Sequence, residues 1–406
     1  MSSARKPILI SGAGLSSLLL GQALLQAKIP FQIYERDASI SFRAQGYRLR
    51  LSTEGLNAIE SVLGPEKWKV FWDTCGKTGG GGFAHLDGPT GEIVSDEPEP
   101  EKQEEGNGKA KIEKESLASR DGRIVGISRG DMRKIFMSDC EPFVKWSHKI
   151  TGYETTPTGV IAMFDDGSRS EEGEMLIGGD GIYSKVARQV SKGALKVYDT
   201  GARGIHGEAP TSAFKGLGEG VWRMTDNSSP RGKVFCITNV RSGDMDNPDL
   251  NFGWTLGGEP GVVDAPNDSH SIIGETAANI AKDLTKNWHP RLKPLFDQMI
   301  SHEAAFWKIT CSTPTGVPEW ENEPRVTVIG DAAHSMTPAG GIGANTAVQD
   351  SALLGRLLGE AGGFKKGITK AYEREMRVYA SAAVHKSYTM ATQAFGVHID
   401  ENSKTV

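Results

Sequence analysis

The chain has 406 residues, 38% hydrophobic and 24% charged, a composition that allows two or three domains' worth of core. Its net charge of −5 argues against a nucleic-acid or anionic-membrane surface, and no apolar run approaches the ~18 residues of a membrane span. Cys75, Cys140, Cys236 and Cys311 stand far apart with no C-x-x-C spacing, so neither a metal site nor a disulfide framework is expected. Residues 1–6 are too short and too polar for a signal peptide, which leaves a reduced, cytoplasmic protein as the expectation.

In chain order, Pro7-Ile8-Leu9-Ile10-Ser11 reads as a buried strand and Gly12-Ala13-Gly14-Leu15-Ser16-Ser17 as a glycine turn. Residues 15–28 read as a helix broken by Pro30. Phe31-Gln32-Ile33-Tyr34 is a second strand, ending on Glu35-Arg36. Strand, glycine turn, helix, strand and acid is the order of a dinucleotide site. Gly12 permits the tight turn, Gly14 lets the backbone approach a pyrophosphate, and Ser17 is small enough for close helix packing. The helix start offers free N–H groups to phosphates, and Glu35 can accept hydrogen bonds from ribose hydroxyls.

Residues 45–51, Gln-Gly-Tyr-Arg-Leu-Arg-Leu, alternate in polarity, and Ser52 or Thr53 can cap a helix through Leu63. The glycine-rich residues 76–82 suggest a turn between short strands. Residues 95–122 are almost all charged or small and cannot bury enough apolar surface to offset ordering; they read as an exposed insertion, with a lid as the alternative. Residues 127–133 lead into a helix, 160–164 into a hairpin turn, and Met175-Leu176-Ile177-Gly178 runs into Gly179-Asp180-Gly181.

From about 195 to 310, β-like runs separated by polar turns (201–207, 221–225, 234–240, 250–256) predict an antiparallel sheet. Helices are expected over 277–288 and 291–300, the second with Pro290 at its start. Arg325-Val326-Thr327-Val328-Ile329 is a strand ending in Gly330-Asp331, followed by a helix over 344–358 and one or two more over 368–395.

Three glycine-acid turns thus follow three apolar strands. The second continues Gly179-Asp180-Gly181-Ile182-Tyr183-Ser184-Lys185-Val186, and the third runs Gly330-Asp331-Ala332-Ala333-His334-Ser335-Met336-Thr337-Pro338-Ala339-Gly340-Gly341-Ile342-Gly343-Ala344-Asn345. These resemble the DG and GD motifs of single-component FAD-dependent aromatic hydroxylases, the para-hydroxybenzoate hydroxylase class, with a layout similar to tetracycline-modifying and natural-product tailoring monooxygenases. Glu35-Arg36, residues 128–133 and residues 371–376 also fit. Two positions depart from the pattern: Ala187 stands where an arginine is usual, with Arg188 next, and Ile342 separates Gly341 from Gly343 where glutamine is usual.

The resemblance implies an α/β fold: a Rossmann-like FAD-binding domain built from discontinuous segments, an inserted mostly antiparallel β-sheet substrate domain and C-terminal helices. The implied segments are 1–75, 123–192 and 311–360 for the FAD domain, with a hairpin region and charged insertion at 76–122. The substrate sheet is placed at 193–310 and the terminal helices at 361–406. Non-covalent FAD would be held by Gly12, Gly14, Ser17, Glu35, Arg36, Gly46, Arg129, Asp180, Asp331, Gly341, Gly343 and Ala344. Asp331 has a helix cap as its alternative role, Arg129 a helix-entry salt bridge, and His334 reads as structural, hydrogen-bonded to backbone.

NAD(P)H would serve as a transient reductant and O2 as co-substrate, in hydroxylation or epoxidation of an electron-rich aromatic, indolic or polyene small molecule. A non-redox cyclase or a flavin reductase remains the alternative. In the sheet, Arg203 and Ile205 share one strand face and Gly204 and His206 the other. Arg203 is the expected catalytic cation, against the alternative of a surface arginine paired with Glu208.

Overall fold

The computed structural model describes residues 5–40, 48–79, 84–94, 118–241 and 243–406. Gly46 and residues 95–117 of the charged insertion lie outside them. The chain divides into two compact units: residues 1–75, 126–202 and 308–406 form one, residues 76–125 and 203–307 the other.

The first unit is built on a five-stranded parallel sheet in the order Val326–Val328, Met175–Gly178, Ile8–Ser11, Phe31–Tyr34, Val144–Lys145. Ile8 pairs with Phe31 on one side and Met175 on the other. The central strands are buried throughout, which is why they read as unbroken apolar runs rather than alternating ones. Three of these strands carry the three glycine-acid turns at their C-terminal ends, so pairing them in parallel brings together turns that are far apart in sequence.

Helix Leu15–Gln26 follows the first turn and helix Gly343–Ala361 the third. Helix Thr53–Val62 is capped by Ser52, whose Oγ accepts the Gly55 N–H. The C-terminal segment is one helix, Ile368–Phe395, whose buried Tyr372, Met376, Ala380 and Val384 recur every four residues on one face.

The second unit contains most of an eight-stranded sheet in the order Ser271–Ile273, Ala305–Ser312, Val197–Pro210, Asn251–Gly258, Val234–Val240, Gly220–Asp226, Ala84–Asp87, Ile93–Val94, of which residues 197–202 and 308–312 are counted in the first unit. Its described pairings are antiparallel except Ala84–Asp87 against Gly220–Asp226. Ile205, Ala209, Phe252, Trp254, Leu256, Cys236 and Met224 form one apolar face, which packs with Ala277, Ala281, Trp288 and Phe296 in a single core. The Trp254 indole N–H donates to the Leu295 carbonyl at 2.9 Å, so the largest side chain of that face is both buried and satisfied.

Two local expectations are corrected and one element was not expected. Gly76–Gly79 is a strand rather than part of the turn expected over 76–82, of which residues 80–82 lie outside the described residues. Pro65–Thr74 is a helix that the sequence pattern does not announce; Pro65 starts it, but only Phe71 is buried, so its apolar periodicity is weak. The helix expected over 291–300 shrinks to Pro294–Asp297. Pro294 has no N–H to give and its ring would meet the carbonyl four residues earlier, so a helix starts there instead of passing through.

Candidate functional site

The site begins with the backbone of the first turn. Gly12 has φ +86°, and a Cβ there would stand 2.7 Å from the Gly179 carbonyl oxygen and 2.8 Å from Asp180 Cα. A side chain is therefore excluded twice, by the dihedral and by the second turn lying against the first. Ser17 Oγ is 3.5 Å from the Gly179 carbonyl, so the small third-position residue does allow close approach, here to the neighbouring strand's turn. Gly14 differs: a Cβ there would meet no atom nearer than the Gly179 carbonyl oxygen at 3.8 Å, which leaves open space beside the helix start. The first-turn N–H groups of Leu15–Gln26 have no side-chain cap.

Glu35 is buried at the end of its strand. Its Oε2 accepts the Ala13 N–H at 2.6 Å and its Oε1 the Asp37 N–H at 2.9 Å, leaving acceptor capacity on each oxygen. Arg133, 4% exposed, donates from Nε to the Ala13 carbonyl and from Nη1 to the Ile40 carbonyl, with Nη2 4.0 Å from Glu35. Arg133 thus braces both the glycine turn and the acid. Sequence reasoning gives it no role, although it stands one helical turn after Arg129 on the same helix face. Arg36 is exposed, its Nε 4.0 Å from Asp37 Oδ1.

In the second turn, Asp180 Oδ1 is buried with no hydrogen-bond partner. Burial raises the Asp180 pKa, opposed by the nearby Ser184 and Ser11 hydroxyls and by the charge of Arg36. An acceptor left in that state calls for a donor from outside the protein.

In the third turn, Gly330 has φ +60°, and a Cβ would meet Ser16 Oγ at 2.8 Å. The Ser351 hydroxyl donates to the Ser16 carbonyl at 2.7 Å, tying the third turn's helix to the first turn's. Asp331 opens the short helix Asp331–His334 and makes no capping bond; Gly330 is the N-cap residue. Asp331 is open to solvent, although neighbouring protein atoms crowd its carboxyl. That crowding raises its pKa, while His334 and Arg129 pull it down and Asp350 raises it further. Arg129, partly buried at the start of helix Arg129–Met137, therefore acts electrostatically on Asp331.

His334 is bonded otherwise than expected. Its Nε2 lies 2.7 Å from Asp350 Oδ2, a carboxylate rather than backbone. Asp350 comes from helix Gly343–Ala361, two turns beyond that helix's start, and nothing in the local sequence pairs it with His334.

The loop after Pro338 completes the site. Gly341 is exposed with φ +61°, Arg50 Nη2 donates to the Gly340 carbonyl at 2.8 Å, and Asn345 Nδ2 donates to the carbonyls of Gly341 and Arg50. Asn345 Oδ1 accepts the Ser52 N–H. This clamp holds Gly343 and Ala344, partly exposed, at the start of a helix that no side chain caps.

The parallel-sheet unit thus brings together Gly12, Gly14, Ser17, Glu35, Arg129, Asp180, Asp331, Gly341, Gly343 and Ala344. Two uncapped helix starts, an orphaned buried carboxylate oxygen, an open glycine approach and acids at strand ends fit a ligand with phosphates, many hydroxyls and a polar ring edge.

Arg203 belongs to the other unit. It pairs with Gly258 while Ile205 pairs with Leu256, so Arg203 shares the face of Ile205, Leu256 and Ala209, the face that packs into the helix-covered core. His206 pairs with Thr255 on the opposite face, and its Nε2 is 3.9 Å from Glu208 Oε1. Glu208 therefore stands on the His206 face, not with Arg203.

A family model described as an FAD binding domain matches residues 108–387. The dual O-methyltransferase/FAD-dependent monooxygenase elcB of Phaeosphaeria nodorum is 29% identical over 86% of this chain and 40% of its own length. The FAD-dependent monooxygenase thnD of Trichoderma harzianum is 25% identical over 86% of this chain and 82% of its own. The chain spans less than half the length of the dual-function relatives. Among solved structures, Klebsiella pneumoniae HpxO complexed with FAD and uric acid superposes with a TM-score of 0.70 at 18% identity, covering 96% of this chain and 89% of that one. At that identity the likeness is one of fold.

Proposed function

The chain belongs to the FAD-binding domain family, and from that premise we propose that it is an NAD(P)H- and O2-dependent monooxygenase. Its substrate on this reading is an electron-rich aromatic, indolic or polyene small molecule, hydroxylated or epoxidised in a natural-product pathway. The observation that carries the flavin part is the convergence of the three glycine-acid turns, with Asp180 Oδ1 buried among them and without a donor. The oxygen part is supported by relatives named FAD-dependent monooxygenases that match most of this chain.

FAD, when bound, would supply the redox chemistry, hydride acceptance from the nicotinamide and activation of O2 for transfer of one oxygen atom. The chain's own residues bind and orient it. Gly12, Gly14 and the start of helix Leu15–Gln26 receive the pyrophosphate, and Glu35, braced by Arg133, receives the ribose. Asp180 and Asp331 accept hydroxyl donors from the ribityl chain. The start of helix Gly343–Ala361, held by Asn345 and Arg50, offers N–H groups to the polar edge of the flavin ring, where negative charge accumulates on reduction. Polar contacts of this kind need no covalent link, so acid or heat should release all of the flavin.

The test is product mass spectrometry with isotopically labelled O2 over a substrate panel, alongside NAD(P)H consumption. One labelled oxygen in the product supports the reading. A rearranged product without label, or nicotinamide oxidation that no substrate accelerates, overturns it.

A further inference from the structure

Beneath the Asp331 turn lies a buried polar cluster that flavin contact does not account for. Asp350 is fully buried, and its carboxylate accepts three bonds: the Gly330 N–H at 2.6 Å and His334 Nε2 at 2.7 Å on Oδ2, and the Tyr379 hydroxyl at 2.6 Å on Oδ1. His334 is 1% exposed, and its Nδ1 has no partner. The N–H groups of Ala333 and His334 both return to the Gly330 carbonyl. Gly330 is therefore gripped from both ends, by Asp350 at its N–H and by the His334 turn at its carbonyl, and Asp331 is the next residue.

The charges around His334 are Asp350 and Asp331 as anions and Arg129 as a cation acting on Asp331. Tyr379 and Tyr372, packed from helix Ile368–Phe395, stay neutral, since burial and the Asp350 charge push both phenols well up. Glu373 and Glu375 of the same helix act on those phenols. Two carboxylates acting on one imidazole favour its protonated form, and a buried carboxylate holding only neutral donors is costly.

We infer that His334, as an imidazolium paired with Asp350, is a positioning residue that sets the Asp331 carboxylate for the cofactor, so that FAD affinity depends on the His334 proton. This rests on the flavin reading. Burial works to lower the His334 pKa, but Asp350 and Asp331 together outweigh it and raise the value above the ordinary one. The sign follows: the pair is intact at low pH and is lost as pH rises through the folded-state value. Above that value both grips on Gly330 persist, but the Asp350 carboxylate that holds the Gly330 N–H loses its counter-charge and keeps only neutral donors.

The experiment titrates apoprotein with FAD by fluorescence quenching from pH 6 to pH 9. Wild type is expected to bind FAD at all pH values, with Kd rising about tenfold or more as one proton is lost. His334→Gln, which keeps a donor at the Nε2 position, is expected to bind about tenfold more weakly at pH 6 and to show no pH dependence over the range. A flat wild-type profile overturns the inference and needs no variant to fold. So does a His334→Gln profile that is weaker throughout but parallel to wild type, the mark of a merely structural role. Absence of FAD binding at every pH overturns instead the flavin reading on which the inference rests.

Discussion

In the parallel-sheet unit, the groups proposed to meet the cofactor are largely backbone: N–H groups at two helix starts, and glycines that leave room beside them. In the antiparallel-sheet unit, proposed to take the substrate, the groups on offer are side chains, sorted onto two faces by the pleat. Backbone sites constrain residue type tightly. Gly12 is excluded from carrying a side chain by φ and by the Gly179 carbonyl together, and Gly330 by φ and by Ser16. Side-chain sites constrain only direction, and many residue types can point the same way. On the proposed reading the first unit therefore announces its ligand through spacing, while the second leaves the proposed substrate unspecified.

The sharpest way to test the contrast is within the first turn itself. Gly12→Ala places a methyl 2.7 Å from a backbone oxygen in a dihedral that L-residues avoid. It should yield little soluble protein and no flavin. Gly14→Ala meets nothing closer than 3.8 Å and has an ordinary φ of −77°, so it should fold with wild-type Tm yet lose flavin, because the methyl occupies ligand space. Full flavin content in Gly14→Ala, read from absorbance after gel filtration, would break the claim that this opening serves the cofactor.

The next effect belongs to the antiparallel sheet. If the expected catalytic cation is right, Arg203→Ala retains FAD and loses product formation by ~10²-fold or more. The face assignment gives the competing outcome: Arg203 shares its side with Ile205 and Ala209, while His206 lies opposite beside Glu208. Wild-type turnover in Arg203→Ala together with an inactive His206→Ala would move substrate recognition to the His206 face. Both variants need a melting curve, since a lost guanidinium stem also removes packing.

A smaller loss is expected at the third turn. Asp331→Ala should weaken FAD by ~1–3 kcal/mol, the scale for one buried hydrogen bond to a ligand. Equilibrium dialysis measures it, and an unchanged Kd would remove Asp331 from the binding set.

What is legible in the sequence follows the same division. The strands and turns ending at Gly12, Gly179 and Gly330 are legible because fully buried parallel strands and glycine turns leave long, specific patterns. The strands of the antiparallel sheet are legible too, from their spacing. The brace made by Arg133, the Asn345 clamp and the Asp350–His334 pair are not. Each joins residues by tertiary contact alone, and each side chain is of a type that usually stands for something else: a surface cation, a helix-start amide, a solvated acid. The short, weakly amphipathic helix Pro65–Thr74 escapes notice for a related reason, since one buried side chain, Phe71, makes no periodic signal.

The smallest expected effect, on the native protein, is none at all, and it turns the comparison of the two units into a measurement. All four cysteines are buried thiols, none of them in a disulfide. Burial pushes the Cys140 and Cys311 thiols up to about 12, and that of Cys236 higher still. Only a thiolate alkylates at a useful rate, so the native chain at neutral pH should resist iodoacetamide. Labelling then reports opening. Cys140 and Cys311 belong to the parallel-sheet unit and Cys236 to the antiparallel one. Every cofactor contact argued above lies in the first. A ligand stabilises what it binds, by about 2.7 kcal/mol at a hundredfold excess over Kd. Across a denaturant series read by peptide mass spectrometry, FAD should therefore shift labelling of Cys140 and Cys311 to higher denaturant and leave Cys236 nearly where it was. Equal shifts at all three would mean that the units open as one cooperative body, and that the separation drawn between a backbone-built cofactor unit and a side-chain-built sheet does not extend to stability.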